Sequence, residues 1–314
     1  MLIISLNQMA VLALFILIGF VVAKLKVVNS DASSVLSKLE NNIFIPALVM
    51  GTFITNFTVE KVSTAWKILL FSFVVELIVI PIAILSSRIA TKNEYIRKIY
   101  TYGLAFSNFG FMGIPIVSAL FPEYEMYYII FTLPLWTLIY VWGVPNLLID
   151  TGDKRGLRSK LKALVNPMFV SLIIGALIGI SGVKLPEFIT SVVNTCGSCM
   201  SPLAMIITGI TFANINIKKV LSDVSIYFVS LLRLIVIPCA FAGIFILLRK
   251  LIGFEIEEYY FVCMLCSLAM PLGLNTVVVP AAYGKDTSVA AGMALISHLL
   301  SVITIPIILT LFGV

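Results

Sequence analysis

Two motifs rich in glycine and polar residues interrupt the apolar runs of this sequence. The first reads Ser-Asn-Phe-Gly-Phe-Met-Gly-Ile-Pro at 107–115, and the second reads Met-Pro-Leu-Gly-Leu-Asn-Thr at 270–276. Proline removes a backbone donor and glycine tolerates unwinding, so a helix that carries either motif should break there, unless the prolines are simple packing kinks. Broken helix ends offer N–H groups to anions and carbonyl groups to cations. The candidate substrate ligands in the two motifs are Asn108, Gly110, Pro115, Pro271, Gly273 and Asn275.

Three ionisable residues lie inside apolar runs, where a charge is costly and is therefore a functional candidate. Glu76 can carry a coupling proton, and Arg233 can hold a substrate carboxylate through paired hydrogen bonds. A structural ion pair between them is the alternative. His298 is the single histidine of the chain and can carry a proton, because imidazole titrates near neutral pH. A histidine that is hydrogen-bonded within a helix bundle is the commoner case.

Four polar residues lie on two other apolar segments, just ahead of Pro46 and Pro202. Such residues can line a path opposite the broken helices, or they can hydrogen-bond neighbouring helices and only support packing. We keep them as candidates on the scaffold side of the site: Asn41, Asn42, Asn194 and Ser198.

The composition requires a bilayer to position these residues. The 314-residue chain is 61% hydrophobic and 11% charged, whereas a soluble domain carries about 45–50% apolar and about 25% charged residues. Apolar runs of about 20 residues are long enough to span a membrane as helices. The sequence thus predicts an all-α integral membrane protein with ten spans, at 3–23, 35–56, 66–86, 100–120, 126–148, 166–183, 188–213, 224–248, 259–283 and 288–313.

The chain also contains an internal repeat. Residues 77–81 and 234–238 both read Leu-Ile-Val-Ile-Pro, and other matches keep nearly the same offset. Five spans per copy is an odd number, so the second copy must cross the membrane in the opposite sense, as in many secondary transporters. We therefore expect repeats at 1–150 and 166–314, with a cytoplasmic linker at 151–165. Lys and Arg concentrate in alternate connections, which predicts a plasma-membrane protein with both termini outside the cell.

Several classes of function are excluded by the motifs that the sequence lacks. It has no H-E-x-x-H zinc motif and no G-x-x-x-x-G-K-[ST] nucleotide loop. Two C-x-x-C pairs, Cys196/Cys199 and Cys263/Cys266, lie within apolar segments without a third type of metal ligand. The basic residues follow the pattern of cytoplasmic loops, which argues against a nucleic-acid partner. We expect no enzyme, no metal site and no cofactor, with Na⁺ or H⁺ at most as a coupling ion.

The sequence resembles the auxin efflux carrier family of transporters along its whole length. The resemblance is carried by the motif at 107–115, by Asn-Pro-Met at 166–168, by Ala-Met-Pro-Leu-Gly-Leu-Asn at 269–275 and by Tyr-Gly-Lys-Asp at 283–286. The bacterial branch of that family includes proteins described as malate or malonate permeases. The long fifth-to-sixth loop of the plant carriers is absent here, which puts auxin in doubt as a substrate.

The resemblance implies a fold shared with the bile acid sodium symporter superfamily. It implies a scaffold from 1–56 and 166–213, and a transport domain from 66–148 and 224–313, with broken fourth and ninth helices that cross at prolines beside the substrate. We expect a secondary transporter of small organic anions that works by an elevator movement in the lipid bilayer, with a homodimer through the scaffold helices as the expected assembly. The alternatives are a sodium-coupled symporter of the bile acid type and a membrane sensor that keeps the carrier fold.

Overall fold

A computed structural model describes residues 2–29, 32–149, 165–213, 223–252 and 257–313. These residues form helices and short connections, and they contain no β-strand beyond one isolated bridge. Most of the predicted linker at 151–165 lies outside the described residues. The prediction of an all-α protein is confirmed.

The described first half of the chain contains five helical elements, of which three are irregular. α2 passes through a π-helical turn, α4 is interrupted after residue 105, and α5 ends in the π-helix Ile139–Ile149. The bounds are α1, Leu2–Lys24; α2, Ala32–Leu39, Glu40–Phe44 and Ile45–Asn56; α3, Val59–Ala90; α4, Glu94–Ala105 and Phe109–Leu120; and α5, Pro122–Ile149.

The described part of the second half follows a similar course. α8 contains a π-helical turn, and α9 is interrupted after residue 268. The bounds are α6, Pro167–Ser181; α7, Glu187–Ala213; α8, Val224–Leu231, Leu232–Val236 and Ile237–Ile252; α9, Glu258–Leu268 and Asn275–Ala282; and α10, Ser288–Leu311.

Among the described residues, six helical stretches are long and apolar enough to cross a membrane. They are Leu2–Lys24, Val59–Ala90, Pro122–Ile149, Glu187–Ala213, Val224–Leu251 and Ser288–Leu311. Shorter apolar helices are found at Phe109–Leu120, Pro167–Ser181 and Glu258–Leu268. These lengths and compositions are those of a multi-pass membrane protein.

The helices pack in several close pairs. α1 packs along α7 and also contacts α10, α2 packs along α6, and α3 packs against α5 and the first half of α4. Large aromatic side chains lie on α4 and α5, where Tyr100, Tyr128 and Phe131 are fully buried. On α1, by contrast, Ile3 and Leu14 are exposed apolar side chains, as expected for a lipid-facing helix.

The structure locates the two helix breaks in finer detail than the sequence motifs do. α4 is interrupted at 106–108 and α9 at 269–274, so the second break contains Pro271. Pro115 is not at a break, because it lies inside the helical run Phe109–Leu120, two residues after the π-helical turn Phe109–Gly113. The expectation that both helices cross at prolines is therefore wrong for α4.

Candidate functional site

The two interrupted helices meet at their breaks. Ser107 and Leu272 form an antiparallel bridge, and the Asn108 N–H donates to the Pro271 carbonyl at 2.7 Å. The Ser107 hydroxyl donates to the Ser267 carbonyl, also at 2.7 Å. The backbones approach closely at Gly273, where a methyl group would lie 3.2 Å from the carbonyl oxygens of Phe106 and Ser107 and would crowd them. We call this set of contacts the crossing.

Arg233 stabilises the crossing from α8. Its guanidinium donates to the carbonyls of Leu104 at 2.7 Å, Ser267 at 3.1 Å and Met270 at 3.3 Å. These carbonyls lie at the ends of the first halves of α4 and α9, where a helix has unsatisfied acceptors and the negative end of its dipole. Arg233 is 1% exposed and lines none of the cavities described below. In this structure Arg233 therefore binds backbone carbonyls of the crossing. Its predicted role in holding a substrate carboxylate stays a prediction.

Glu76 on α3 is the acidic neighbour of Arg233. It is 1% exposed, and its carboxylate interacts electrostatically with the guanidinium. Within the described residues its Oε2 atom is buried without a hydrogen-bond partner. In the part of the chain that the structure describes, Glu76 and Arg233 form no ion pair within 4 Å, so the structural alternative of an ion pair between them stays a prediction. The role of Glu76 as a proton carrier also stays a prediction.

A cavity of about 420 Å³ opens beside the crossing, and we call it the crossing cavity. Lys38 on α2 is the one charged side chain among the described residues that line it. Aromatic, polar and aliphatic side chains form the rest of its wall. The aromatic group is Tyr102, Phe109, Phe111, Trp136, Tyr140 and Tyr283, and the polar group is Ser34, Ser37, Asn41, Asn42, Ser107, Asn108 and Asn275. The aliphatic group is Ile139, Val144, Ile149, Leu274, Val278 and Val279. Gly110 and Gly273 also line it, so most of the predicted substrate ligands come together here.

The second half of α4 begins at the wall of this cavity. Its first helical hydrogen bonds run from Met112 and Gly113 to the Asn108 carbonyl. The N–H groups of Phe109, Gly110 and Phe111 have no acceptor in the described part of the chain. Three free donors at the positive end of a helix dipole form a site that favours an anion.

Asn108 and His298 are joined by a buried hydrogen bond. The Nδ1 atom of His298 lies 2.7 Å from the Ala294 carbonyl, which can only accept, so Nδ1 carries the proton. The Nε2 atom therefore accepts from the Asn108 amide nitrogen at 3.0 Å. Asn108 is 3% exposed and His298 is 2% exposed. The bundle-bonded alternative for His298 fits this arrangement.

The other predicted asparagines of the crossing cavity are also oriented by hydrogen bonds. The Asn275 amide donates to the Tyr102 hydroxyl at 3.2 Å, linking α9 to α4. The amides of Asn41 and Asn42 donate to the carbonyls of Ser37 and Lys38, each at 2.7 Å. The amide oxygens of Asn41 and Asn42 have no donor among the described residues and can accept from a ligand.

Asn194, Ser198 and Pro115 lie elsewhere, on two adjoining cavities of about 320 Å³ each. Both cavities are lined by Glu125, the one charged side chain that the described residues contribute to them. The Ser118 hydroxyl donates to the Glu125 Oε1 atom at 2.6 Å. We call these the Glu125 cavities. Among the described residues they share no lining residue with the crossing cavity, so the predicted site residues that line cavities belong to two separate regions.

Sequence reasoning missed several residues of the two regions. Lys38 and Glu40 look like a surface pair near the end of a span, yet Lys38 lines the crossing cavity and Glu40 is fully buried. Within the described residues neither carboxylate oxygen of Glu40 has a hydrogen-bond partner. The wall formed by Trp136 and Tyr140 was also missed. Aromatic residues inside a span give no signal that separates a cavity wall from ordinary packing.

The cysteines give no sign of metal binding in the described residues. Cys263 and Cys266 are buried free thiols in α9, and Cys196 and Cys199 are free thiols on α7. The described part of the chain contains no group of three His, Cys, Asp or Glu side chains that could hold a metal ion.

Two interrupted helices that cross beside a cavity are an arrangement typical of membrane transporters, and comparisons with known proteins agree. The family model described as "Membrane transport protein" matches residues 4–309. An uncharacterized transporter of Methanothermobacter thermautotrophicus is 23% identical over 306 residues, which cover 93% of each chain. The chain belongs to this family of membrane transport proteins, the auxin efflux carrier family, and is a transporter and not an enzyme.

Proposed function

We propose that this protein is a secondary active transporter of small organic anions, with a carboxylate as the group that it recognises. One observation carries the proposal. The uncapped start of the helix Phe109–Leu120 lies in the wall of the crossing cavity, where Lys38 is the one charged side chain among the described lining residues. A helix N-terminus and an ammonium group both favour an anion.

The cavity also indicates how such an anion binds. The carboxylate accepts from the N–H groups of Phe109, Gly110 and Phe111, and Lys38 adds a charge at the exposed side of the cavity. The remainder of the solute lies against Trp136 and the neighbouring aromatic side chains. A volume of about 420 Å³ suits a small molecule rather than a peptide or a lipid.

We propose that transport follows an elevator movement of two domains. The transport domain consists of 66–148 and 224–313, and the scaffold consists of 1–56 and 166–213. The packing of α1 along α7 and of α2 along α6 is what a separate scaffold needs. The two interrupted helices, α4 and α9, also support ten spans in two inverted repeats, because corresponding spans of the copies share the same irregularity.

The proposed orientation makes this an inward-facing state in the plasma membrane, with both termini outside the cell. Lys38, Ile149 and Tyr283, at one side of the crossing cavity, adjoin the connections rich in Lys and Arg. We also propose a homodimer through the scaffold helices, on which large apolar side chains such as Leu177 and Phe188 are exposed. The coupling ion of the proposed transport is H⁺ or Na⁺.

The test is transport of radiolabelled anions into proteoliposomes. Malonate and indole-3-acetate are measured separately, each under a pH gradient, a sodium gradient or neither. We expect saturable uptake of at least one anion that depends on the purified protein. Uptake that requires Na⁺ would identify the sodium-coupled alternative. Failure of both anions to bind or to be transported would contradict an anion site at the crossing.

A further inference from the structure

Asn108 stands at the N-cap position of a helix and does not cap it. Its side chain accepts from no backbone N–H of the first turn. Two other asparagines at N-caps in this chain behave in the usual way. Asn93 accepts from the Ile96 N–H at 3.1 Å, and Asn166 accepts from the Phe169 N–H at 3.2 Å. The difference therefore does not come from the residue type.

The backbone of Asn108 also departs from these two caps. Asn93 and Asn166 have extended conformations, with ψ of 122° and 162°. Asn108 has φ of −80° and ψ of 46°, and its N–H is held by the Pro271 carbonyl in the crossing. Its amide nitrogen is held at the same time by His298. Two tertiary contacts thus keep this residue from capping its own helix.

Two contacts hold the His298 ring in a fixed orientation. Its Nδ1–H is bound to the Ala294 carbonyl one turn earlier in α10, so Nε2 can act only as an acceptor. The ring packs edge-on against Phe212 of α7, with 5.5 Å between the ring centroids. The acceptor is therefore presented to Asn108 from a buried and immobilised ring.

We propose that His298 is a positioning residue that holds the Asn108 side chain away from the start of the helix Phe109–Leu120 and so keeps the anion site open. Without that acceptor, the Asn108 side chain turns to cap the N–H groups that a substrate carboxylate needs. The internal cap then competes with the substrate. This inference rests on the proposed function, because it concerns the same three N–H groups.

The experiment measures binding of radiolabelled malonate and indole-3-acetate, each alone, to purified full-length protein. His298→Gln places an amide oxygen near the position of Nε2, and His298→Leu removes the acceptor while remaining apolar. We expect His298→Gln to bind within about twofold of the wild type. His298→Leu should lose about five- to tenfold in affinity, the size of an N-cap interaction. Thermal unfolding of both variants checks that they fold.

Asn108→Gly supplies the second arm, because glycine removes the competing side chain and is accepted at an N-cap. We expect Asn108→Gly to bind more weakly than the wild type but measurably, and adding His298→Leu to it should change the affinity by less than about twofold. A full further loss in the double variant would overturn the inference, since His298 would then act independently of Asn108. So would complete loss of binding in Asn108→Gly, which would make the side chain the anion ligand.

The proposed function and this inference fail in different ways. If the wild type binds neither anion, the anion site itself is wrong, and the inference is overturned with it. If the wild type and His298→Leu bind equally well, the site stands and only the role of His298 is overturned.

Discussion

The crossing cavity and the Glu125 cavities are lined by opposite ends of the same three helices. α2 contributes Asn41 to the former and Thr52 to the latter, while α5 contributes Trp136 and Glu125 respectively. α4 contributes its break to the first and the helix after the break to the second. Their chemistry differs in sign. The first combines Lys38 with a free helix N-terminus, and the second has a carboxylate that already accepts from a hydroxyl.

In the proposed function, a broken helix, and not a charge inside a span, makes the anion site. The buried charges Glu76 and Arg233 line neither region. Arg233 donates to three carbonyls of the crossing, because the same break that frees N–H groups on one side frees acceptors on the other. The carbonyl of Leu104, at the end of the first half of α4, thus accepts from Arg233. The N–H groups at the start of the second half remain available for the proposed anion.

Removal of Arg233 should have the largest effect on stability, because Arg233 binds the crossing that forms the first of the two regions. Arg233→Met leaves three buried carbonyls without donors and Glu76 without its countercharge. We expect a loss of about 3–5 kcal/mol in the free energy of unfolding, enough to lower the yield of folded protein. Size-exclusion profiles and thermal unfolding in detergent measure this. Arg249→Met, at an exposed position of the same helix, is the matched control, and equal behaviour of the two variants would contradict the role of Arg233.

Gly273→Ala tests the close approach of the crossing. The added methyl group meets two backbone oxygens at 3.2 Å, and backbone cannot move aside as a side chain can. We expect a loss of about 1–3 kcal/mol in stability and weaker anion binding, because the N–H groups at the start of Phe109–Leu120 shift. Gly243→Ala is the control, since a methyl group there has open space, and it should stabilise α8 slightly. A larger loss from Gly243→Ala would refute the argument from the crossing.

Lys38→Ala tests the positive sign of the crossing cavity. The ammonium group is exposed, so solvent screens it, and we expect anion affinity to fall only about fivefold. Lys38→Arg should retain most of the affinity, and Lys67→Ala, at an exposed position on α3 outside the cavity, should retain all of it. Binding assays at low and high salt check the cause. An unchanged affinity in Lys38→Ala at low salt would show that the helix N-terminus acts alone.

The sequence was sufficient for the helices and for most of the crossing cavity, and insufficient for the roles of single charges. Apolar runs predict helices because the bilayer leaves few alternatives, and glycine with polar residues inside a run predicts a break. The partners of Arg233 come from α4 and α9, far away in the chain, and no local pattern reports them. Pro115 was misplaced for a related reason, because a proline inside a helical run does not by itself mark a break.

Glu125→Gln should have the smallest effect on anion binding and yet separates the two regions most directly. The substitution removes the negative charge and keeps a group that can bond to the Ser118 hydroxyl. If the Glu125 cavities have no part in anion recognition, malonate and indole-3-acetate bind to the variant within about twofold of the wild type. If their carboxylate serves the coupling cation, the variant loses the dependence of uptake on the pH or sodium gradient. Glu123→Gln, an exposed neighbour outside the cavities, should alter neither. Loss of anion binding in Glu125→Gln would show that the two regions form one site. The reason is that the charge of a carboxylate is screened over distance, so it would have to lie near the anion to affect its binding.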